Sequence, residues 1–345
     1  MKLPDCSFFL FGMGNRPKML YQDGKIWDAL SAKVIRGWDV RRATIRPAEY
    51  RVDLVCGDGG RVTVFEDEAG VWVAEHDTRE QLAAGAVRLP SFADAKDAAV
   101  LRILHHEILV NIMDGRPVPN FLVYRKPWYR DAAMMAMCLE KTGNLHLVRD
   151  WIMGLREPFD RNNAGHEEPD NLGQALYLIS LVSDAGHPLP AMILDAVRPF
   201  RRDRFISGLS DFAAHPVYQT KWLKFGLARL GLPDPYEIPA VYDSYSALFW
   251  MDYRDAHVAG PHFSDEDRDL YPYLGWAEAH FHGWQPPWRS DREARGATYP
   301  LTWEAEASQA DYQGMKRIAP EYAVRKIAAP HTWHAAEMFL YLLER

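Results

Sequence analysis

Pro127-Trp128-Tyr129-Arg130-Asp131 runs directly into Ala132-Ala133-Met134-Met135-Ala136-Met137, an aromatic and charged cluster that opens a small, apolar helical stretch. Pro127 suits a helix start and Gly143 follows its end. A helix that is apolar along its length reads as an inner, buried one. Working outward, the helical period predicts helices near 94–113, 128–141, 144–155, 169–184, 188–200, 216–231, 242–252, 266–282, 290–296, 301–318, 320–328 and 332–344. Every second one opens on a cluster of the same kind. His166-Glu167-Glu168-Pro169-Asp170-Asn171 stands before the fourth, His215-Pro216-Val217-Tyr218 before the sixth and Asp269-Leu270-Tyr271-Pro272-Tyr273 before the eighth. Tyr299-Pro300-Leu301-Thr302-Trp303-Glu304 opens the tenth and Pro330-His331-Thr332-Trp333-His334 the twelfth. In an alternating up–down ring these even helices start at one end, where spare N–H donors and positive dipole ends gather. The expected fold is therefore mainly α: an (α/α)6 toroid of six helical hairpins over residues 93–345.

Residues 1–92 read as a small β-rich region ahead of that toroid. Ser7–Phe11 is a short apolar run; Tyr50–Cys56 and Arg61–Phe65 alternate across the turn Gly57-Asp58-Gly59-Gly60; Val71–Ala74 adds another strand. Gly12-Met13-Gly14 is not a dinucleotide fingerprint, because Asn15-Arg16-Pro17 continues neither the glycine pattern nor a helix.

Composition narrows the function classes. Lys+Arg number 40 against Asp+Glu 47, a net charge of -7, and no basic run interleaves with aromatics, so a nucleic-acid partner is not expected. No stretch approaches the roughly 18 apolar residues that span a bilayer, and the apolar start is too short for a signal peptide, so no membrane partner is expected and the cytoplasm is the expected compartment. Cys6, Cys56 and Cys138 are far apart and lack metal spacing, and neither a disulfide framework, a metal nor a cofactor is expected. The 12 Trp and 16 Tyr often sit beside Pro, His or charged residues, which suits the mixed apolar and hydroxylated surface of a sugar. Rings that simply fill a helical core are the plain alternative.

Three segments carry a family resemblance. Pro127-Trp-Tyr-Arg-Asp-Ala-Ala-Met-Met-Ala resembles the Trp/Tyr-x-Arg-Asp segment of glucoamylase-like members of the six-hairpin glycosidase superfamily. Glu168-Pro-Asp-Asn-Leu-Gly-Gln-Ala-Leu-Tyr is similar to their Asp-x-x-Gly-x-x-Leu helix start, and Pro330-His-Thr-Trp-His-Ala-Ala-Glu337 to their last inner helix. The resemblance implies a divergent branch, with Arg130 and Asp131 binding sugar hydroxyls in the innermost subsite. The superfamily's mid-chain Trp-Glu-Glu and later loop glutamate have no counterpart in place here.

Glycoside hydrolysis needs one carboxyl that donates a proton and a second that activates water or attacks. Glu168, Glu304 and Asp131 are the candidate catalytic residues. Trp303 next to Glu304 is expected to desolvate that carboxyl and raise its pKa. Trp128, Tyr129, Arg130, Asp170, Tyr299, Trp303, His331, Trp333 and His334 form the candidate substrate-binding set. Asp131 and Asp170 read equally as residues favoured by the helix dipole, and Glu337 as half of a structural ion pair. The loop Asp160-Arg-Asn-Asn-Ala-Gly165 lacks the ligands of a calcium loop and reads as wall of the pocket. The expected function is a hydrolase of a small oligosaccharide or glycoside. A sugar lyase or epimerase using His or Tyr, and a non-catalytic carbohydrate-binding toroid, are the alternatives; the oligomeric state is open.

Overall fold

Residues 8–84 build two antiparallel sheets, with period-two burial in the strands Arg51–Cys56 and Arg61–Glu66. The computed structural model describes residues 8–241, 243, 299–306 and 310–343. The first sheet runs β1 (Phe8–Phe11), β2 (Met19–Gln22), β3 (Lys25–Asp28) and β4 (Val34–Gly37) in chain order. The second runs β5 (Val40–Arg46), β6 (Arg51–Cys56), β7 (Arg61–Glu66), β8 (Gly70–Glu75) and β9 (Thr78–Ala84). Phe9, Phe11, Met19, Tyr21 and Ile26 of one sheet share a single apolar cluster with Val52, Leu54, Val62, Val64, Val71 and Val73 of the other. Each such buried side chain contributes about 1.5–3 kcal/mol, so this sandwich interior is the main source of cohesion for the region. The predicted strands fall within it, and β2, β3, β4, β5 and β9 are additions to them.

A network of buried charged groups, Glu66, Arg16 and Lys18, lies under the sandwich. Glu66 ends β7 on the inward face and accepts from the Gly12 amide at 3.0 Å, the Met13 amide at 2.7 Å and Arg16 Nη1 at 2.7 Å. Arg16 spends its other donors on the Gly85 and Glu68 carbonyls, and Lys18 donates to the Gly12 and Gly14 carbonyls. A Cβ at Gly12, where φ is 103°, would stand 2.3 Å from the Pro17 carbonyl oxygen. The Gly-Met-Gly segment thus serves as a tight backbone cradle for a buried carboxylate.

Two compact units divide the chain. Among the described residues, one holds 8–127, 137–148, 299–306 and 310–343, and the other holds 128–136, 149–241 and Asp243. The first unit carries both sheets and α1 (Ala98–Val110), whose His106 ring stacks on Phe9 at 4.7 Å. It also carries the short pair β10 (Ile112–Met113) with β11 (Arg116–Pro117). α1 packs on the last helix, Thr332–Leu343.

The second unit is built on α2 (Tyr129–Lys141, shared at its C-terminal end with the first unit), α3 (Arg149–Met153), α4 (Asp170–Ser180) and α5 (Pro188–Ala196). Two β-hairpins follow, β12 (Arg201–Arg202) with β13 (Phe205–Ile206) and β14 (Leu209–Ser210) with β15 (Ala213–Ala214). They lead into α6 (Pro216–Arg229). α4 and α6 make the closest helix contact of this unit. At their crossing a Cβ on Gly173 would sit 2.1 Å from the Trp222 carbonyl carbon, so only glycine permits the approach.

The toroid expected from the sequence is not found among the described residues. Helix accounts for 34% of them and strand for 24%, with a two-sheet N-terminal region and no ring of helical hairpins. The predicted helix over 301–318 is instead β16 (Glu304–Ala305), paired with β17 (Ile327–Ala328), and a single turn α7 (Gln313–Lys316). α8 (Pro320–Val324) and α3 are five residues each, whereas the last helix, α9 (Thr332–Leu343), lies within its expected range. Pro300, Pro320 and Pro330 each stop a helix from extending backward, because proline has no N–H and clashes with the preceding turn. Between Pro320 and Pro330 the chain is too short for a long helix, and between Pro300 and Pro320 the strand pairing of Glu304–Ala305 takes up the backbone, so the alternation of up and down helices fails. The predicted helices 242–252, 266–282 and 290–296, with the Asp269–Tyr273 cluster, lie outside the described residues.

Candidate functional site

Arg130 is the hub of a buried centre in the second unit. It sits in the first turn of α2, whose Tyr129 amide donates to Asp160 Oδ2 at 2.7 Å, so a loop carboxylate caps the helix start. Its Nη1 lies 3.3 Å from Asp170 Oδ2 and 3.6 Å from Glu168 Oε2, and its Nη2 donates to Asp211 Oδ1 at 2.9 Å. The Trp128 ring lies 5.5 Å from the same guanidinium. Asp131 is buried in the same turn.

Asp170 opens α4 and accepts from Ser210 Oγ at 2.5 Å and Gln174 Nε2 at 2.9 Å as well as from Arg130. Glu168 Oε1 accepts from Asn163 Nδ2 at 3.0 Å and the Asp211 amide at 2.6 Å. Among the described residues Glu168 Oε2 has no hydrogen-bond donor and only the longer contact with Arg130. Burial, with the Asp170 charge adding to it and Arg130 opposing, pushes the Glu168 carboxyl up to about 7. Asp160 is likewise raised by burial, to about 6. Burial and the nearby Asp170 charge together favour the protonated form of Glu168.

The centre opens at one of the three carboxylates around Arg130. The side chains of Arg130, Glu168 and Asp170 are buried, whereas that of Asp211 is 39% exposed. Asp211 forms the tip of the β14–β15 hairpin, so its amide and carboxylate tie that tip to both Glu168 and Arg130.

The first unit holds a second group. Tyr124 Oη donates to Glu304 Oε2 at 2.9 Å, and His331 Nε2 lies 3.1 Å from the same oxygen. Burial works to raise Glu304, but the His331 ring against it prevails and holds the carboxyl at about 2. This direction is opposite to the one expected from the neighbouring Trp303. The imidazole nitrogen, 3.1 Å from the carboxylate oxygen, acts on it directly and outweighs the desolvation. His334 lies with its ring centroid 5.1 Å from that of His331 and is pushed down to about 3 by burial. Trp303 and Trp333 are half-buried in this unit.

Of the residues singled out from the sequence, the structure thus brings Trp128, Arg130, Glu168 and Asp170 together, and separately gathers Glu304, His331 and His334. Tyr129 turns to the loop side, its hydroxyl donating to the Glu157 carbonyl at 2.8 Å. Tyr299 packs into the sandwich, 4.8 Å from Phe9. The 160–165 loop does border the centre, through Asn163. Ser210 and Asp211 gave no signal in the sequence: they lie in a short hairpin with no motif, and only the fold carries them to Arg130. Glu107 was missed as well. It is buried on α1, pushed up to about 8 by that burial, and accepts from the Leu301 amide at 2.5 Å and Thr302 Oγ1 at 2.6 Å, tethering the strand that bears Glu304.

No known protein family, curated protein or solved structure gives a significant match to this chain. Among the described residues no group of His, Cys, Asp and Glu is arranged to hold a metal ion. No helix among them is long and apolar enough to cross a membrane.

Proposed function

We propose that the Arg130 centre is an acid–base site that hydrolyses a glycosidic bond in a small oligosaccharide or glycoside. One observation carries the reading: the Glu168 carboxyl is buried beside Asp170, without a donor at Oε2 among the described residues, and pushed up to about 7. A carboxyl that keeps its proton near neutrality can deliver it to a leaving oxygen, while the neighbouring carboxylate attacks the anomeric carbon or activates water. Arg130 and Trp128 supply a hydroxyl-binding fork beside an aromatic face. The two segments that resemble glycosidase helix starts, 127–136 and 168–177, supply Arg130, Glu168 and Asp170, which gives the sugar chemistry support independent of any toroid.

The alternative of a lyase or epimerase with a tyrosine base has less support. Burial and Glu304 push the Tyr124 phenol up, away from the anionic form a base requires. Glu304, held at about 2, is a fixed carboxylate and a poor proton donor.

The test is turnover of a panel of 4-nitrophenyl α- and β-glycosides. Wild-type kcat should fall as pH rises through about 7, because the acid must be protonated. Glu168→Gln should lower kcat by about 100-fold or more while still binding substrate. Wild-type hydrolysis of every glycoside at background rate, or full activity in Glu168→Gln, refutes the assignment.

A further inference from the structure

The hairpin that brings Asp211 to the centre has an unusual tip. Ser210 pairs with Ala213, leaving a two-residue loop in which Asp211 has φ 47° and Phe212 φ 71°. Two successive left-handed residues define the hairpin turn that ordinarily takes Asn or Asp first and glycine second. Asp211 fits its position. Phe212 does not, since a bulky side chain in the left-handed region crowds its own backbone. Nor does burial compensate, because Phe212 is 63% exposed and Leu209 in the same hairpin is 56% exposed.

A residue that is both strained and solvated gains nothing from the fold that would explain its identity, and such strain concentrates where a ligand is met. Its place is specific. The neighbouring residue, Asp211, donates its amide to Glu168 and is the solvent-reaching carboxylate on Arg130. We propose that Phe212 is the outer stacking surface of this site, receiving the C–H face of a sugar ring next to the one held at Arg130. This rests on the glycosidase reading and extends it: the substrate is at least a disaccharide or an aryl glycoside, with an apolar ring face beyond the scissile bond. The hairpin tip then acts as a specificity element, because the residue before Phe212 is fixed to the site: the Asp211 amide donates to Glu168 and its carboxylate accepts from Arg130.

The experiment compares Phe212→Gly, Phe212→Ala and Phe212→Trp with wild type, measuring KM and kcat on 4-nitrophenyl glycosides and Tm with and without saturating glycoside. Phe212→Gly should leave the ligand-free Tm unchanged or raise it by about 1 °C, as glycine relieves the turn. Phe212→Gly and Phe212→Ala should raise KM about five- to tenfold and remove most of the ligand-induced Tm shift, whereas Phe212→Trp restores both. A fall in ligand-free Tm of several degrees in Phe212→Gly shows a packing role and overturns the proposal. So does an unchanged KM and ligand shift in Phe212→Ala. If Glu168→Gln remains active while Phe212→Ala loses affinity, the acid assignment fails and the stacking surface stands. If Glu168→Gln is inactive and Phe212→Ala binds as wild type does, the stacking surface alone fails. Absence of any glycoside-induced shift in wild type overturns both.

Discussion

Replacing Glu168 by glutamine should change how stability depends on pH. In the folded chain the carboxyl keeps its proton up to about 7, whereas an unfolded glutamate releases it near the ordinary value of 4.5. The folded state therefore binds the extra proton between those values. Its contribution to stability is fully present below the unfolded pKa and is lost as pH rises through about 7. Integrating that difference from pH 5 to pH 8 gives a loss on the order of 2–3 kcal/mol in wild type that a neutral glutamine does not suffer. Glutamine can keep the oxygen that accepts from Asn163 and the Asp211 amide, so the local hydrogen bonds largely survive. The assay is urea unfolding followed by tryptophan fluorescence at half-unit pH steps from 5 to 8, for both proteins. Other buried groups also titrate in or near this range: Asp160 at about 6, Lys18 at about 7 and Glu107 at about 8. Their contributions cancel in the difference between the two curves. Parallel curves, offset by a constant, would show that Glu168 is already ionised at pH 5 and would remove the basis for calling it an acid.

Three further outcomes follow from the packing and the charge networks. Gly173→Ala should cost about 2–3 kcal/mol, because α4 and α6 must part to admit a methyl group; a wild-type urea midpoint would contradict the contact. Arg16→Met should cost about 3–5 kcal/mol by leaving buried Glu66 without its cation, and adding Glu66→Gln should recover part of the loss in equilibrium unfolding. Tyr124→Phe removes a donor from Glu304 and should raise that carboxyl above about 2, a change visible in a carbon NMR titration of the side chain; an unmoved titration would exclude Tyr124 as a contributor.

Legibility in the sequence followed the length and apolarity of each segment. α1, α2, α4, α6 and α9 are long enough for their helical period to be read directly, and each overlaps its predicted range. β2, β3 and β4 are four residues each and β5 is largely exposed, so neither period nor apolarity marks them. The aromatic, proline-bearing cluster at Tyr299–Glu304 has the composition of a helix start, and it was read as one. Pairing with Ile327–Ala328 makes its end, Glu304–Ala305, a strand instead, because a partner more than twenty residues away supplies the backbone hydrogen bonds that a helix would have supplied locally.

Within the candidate site the same division holds. The sequence alone establishes that Arg130, Asp131, Glu168 and Asp170 stand at or just before helix N-termini among aromatic residues, since local period and capping chemistry depend only on near neighbours. Which carboxylate keeps a proton is not a local property. It depends on Asp170 and Glu168 converging on one guanidinium, on the burial around them, and on a hairpin eighty residues downstream of Arg130 bringing in Asp211. Desolvation and Coulomb energies act through space, so the tertiary structure decided that Glu168 is raised and Glu304 lowered.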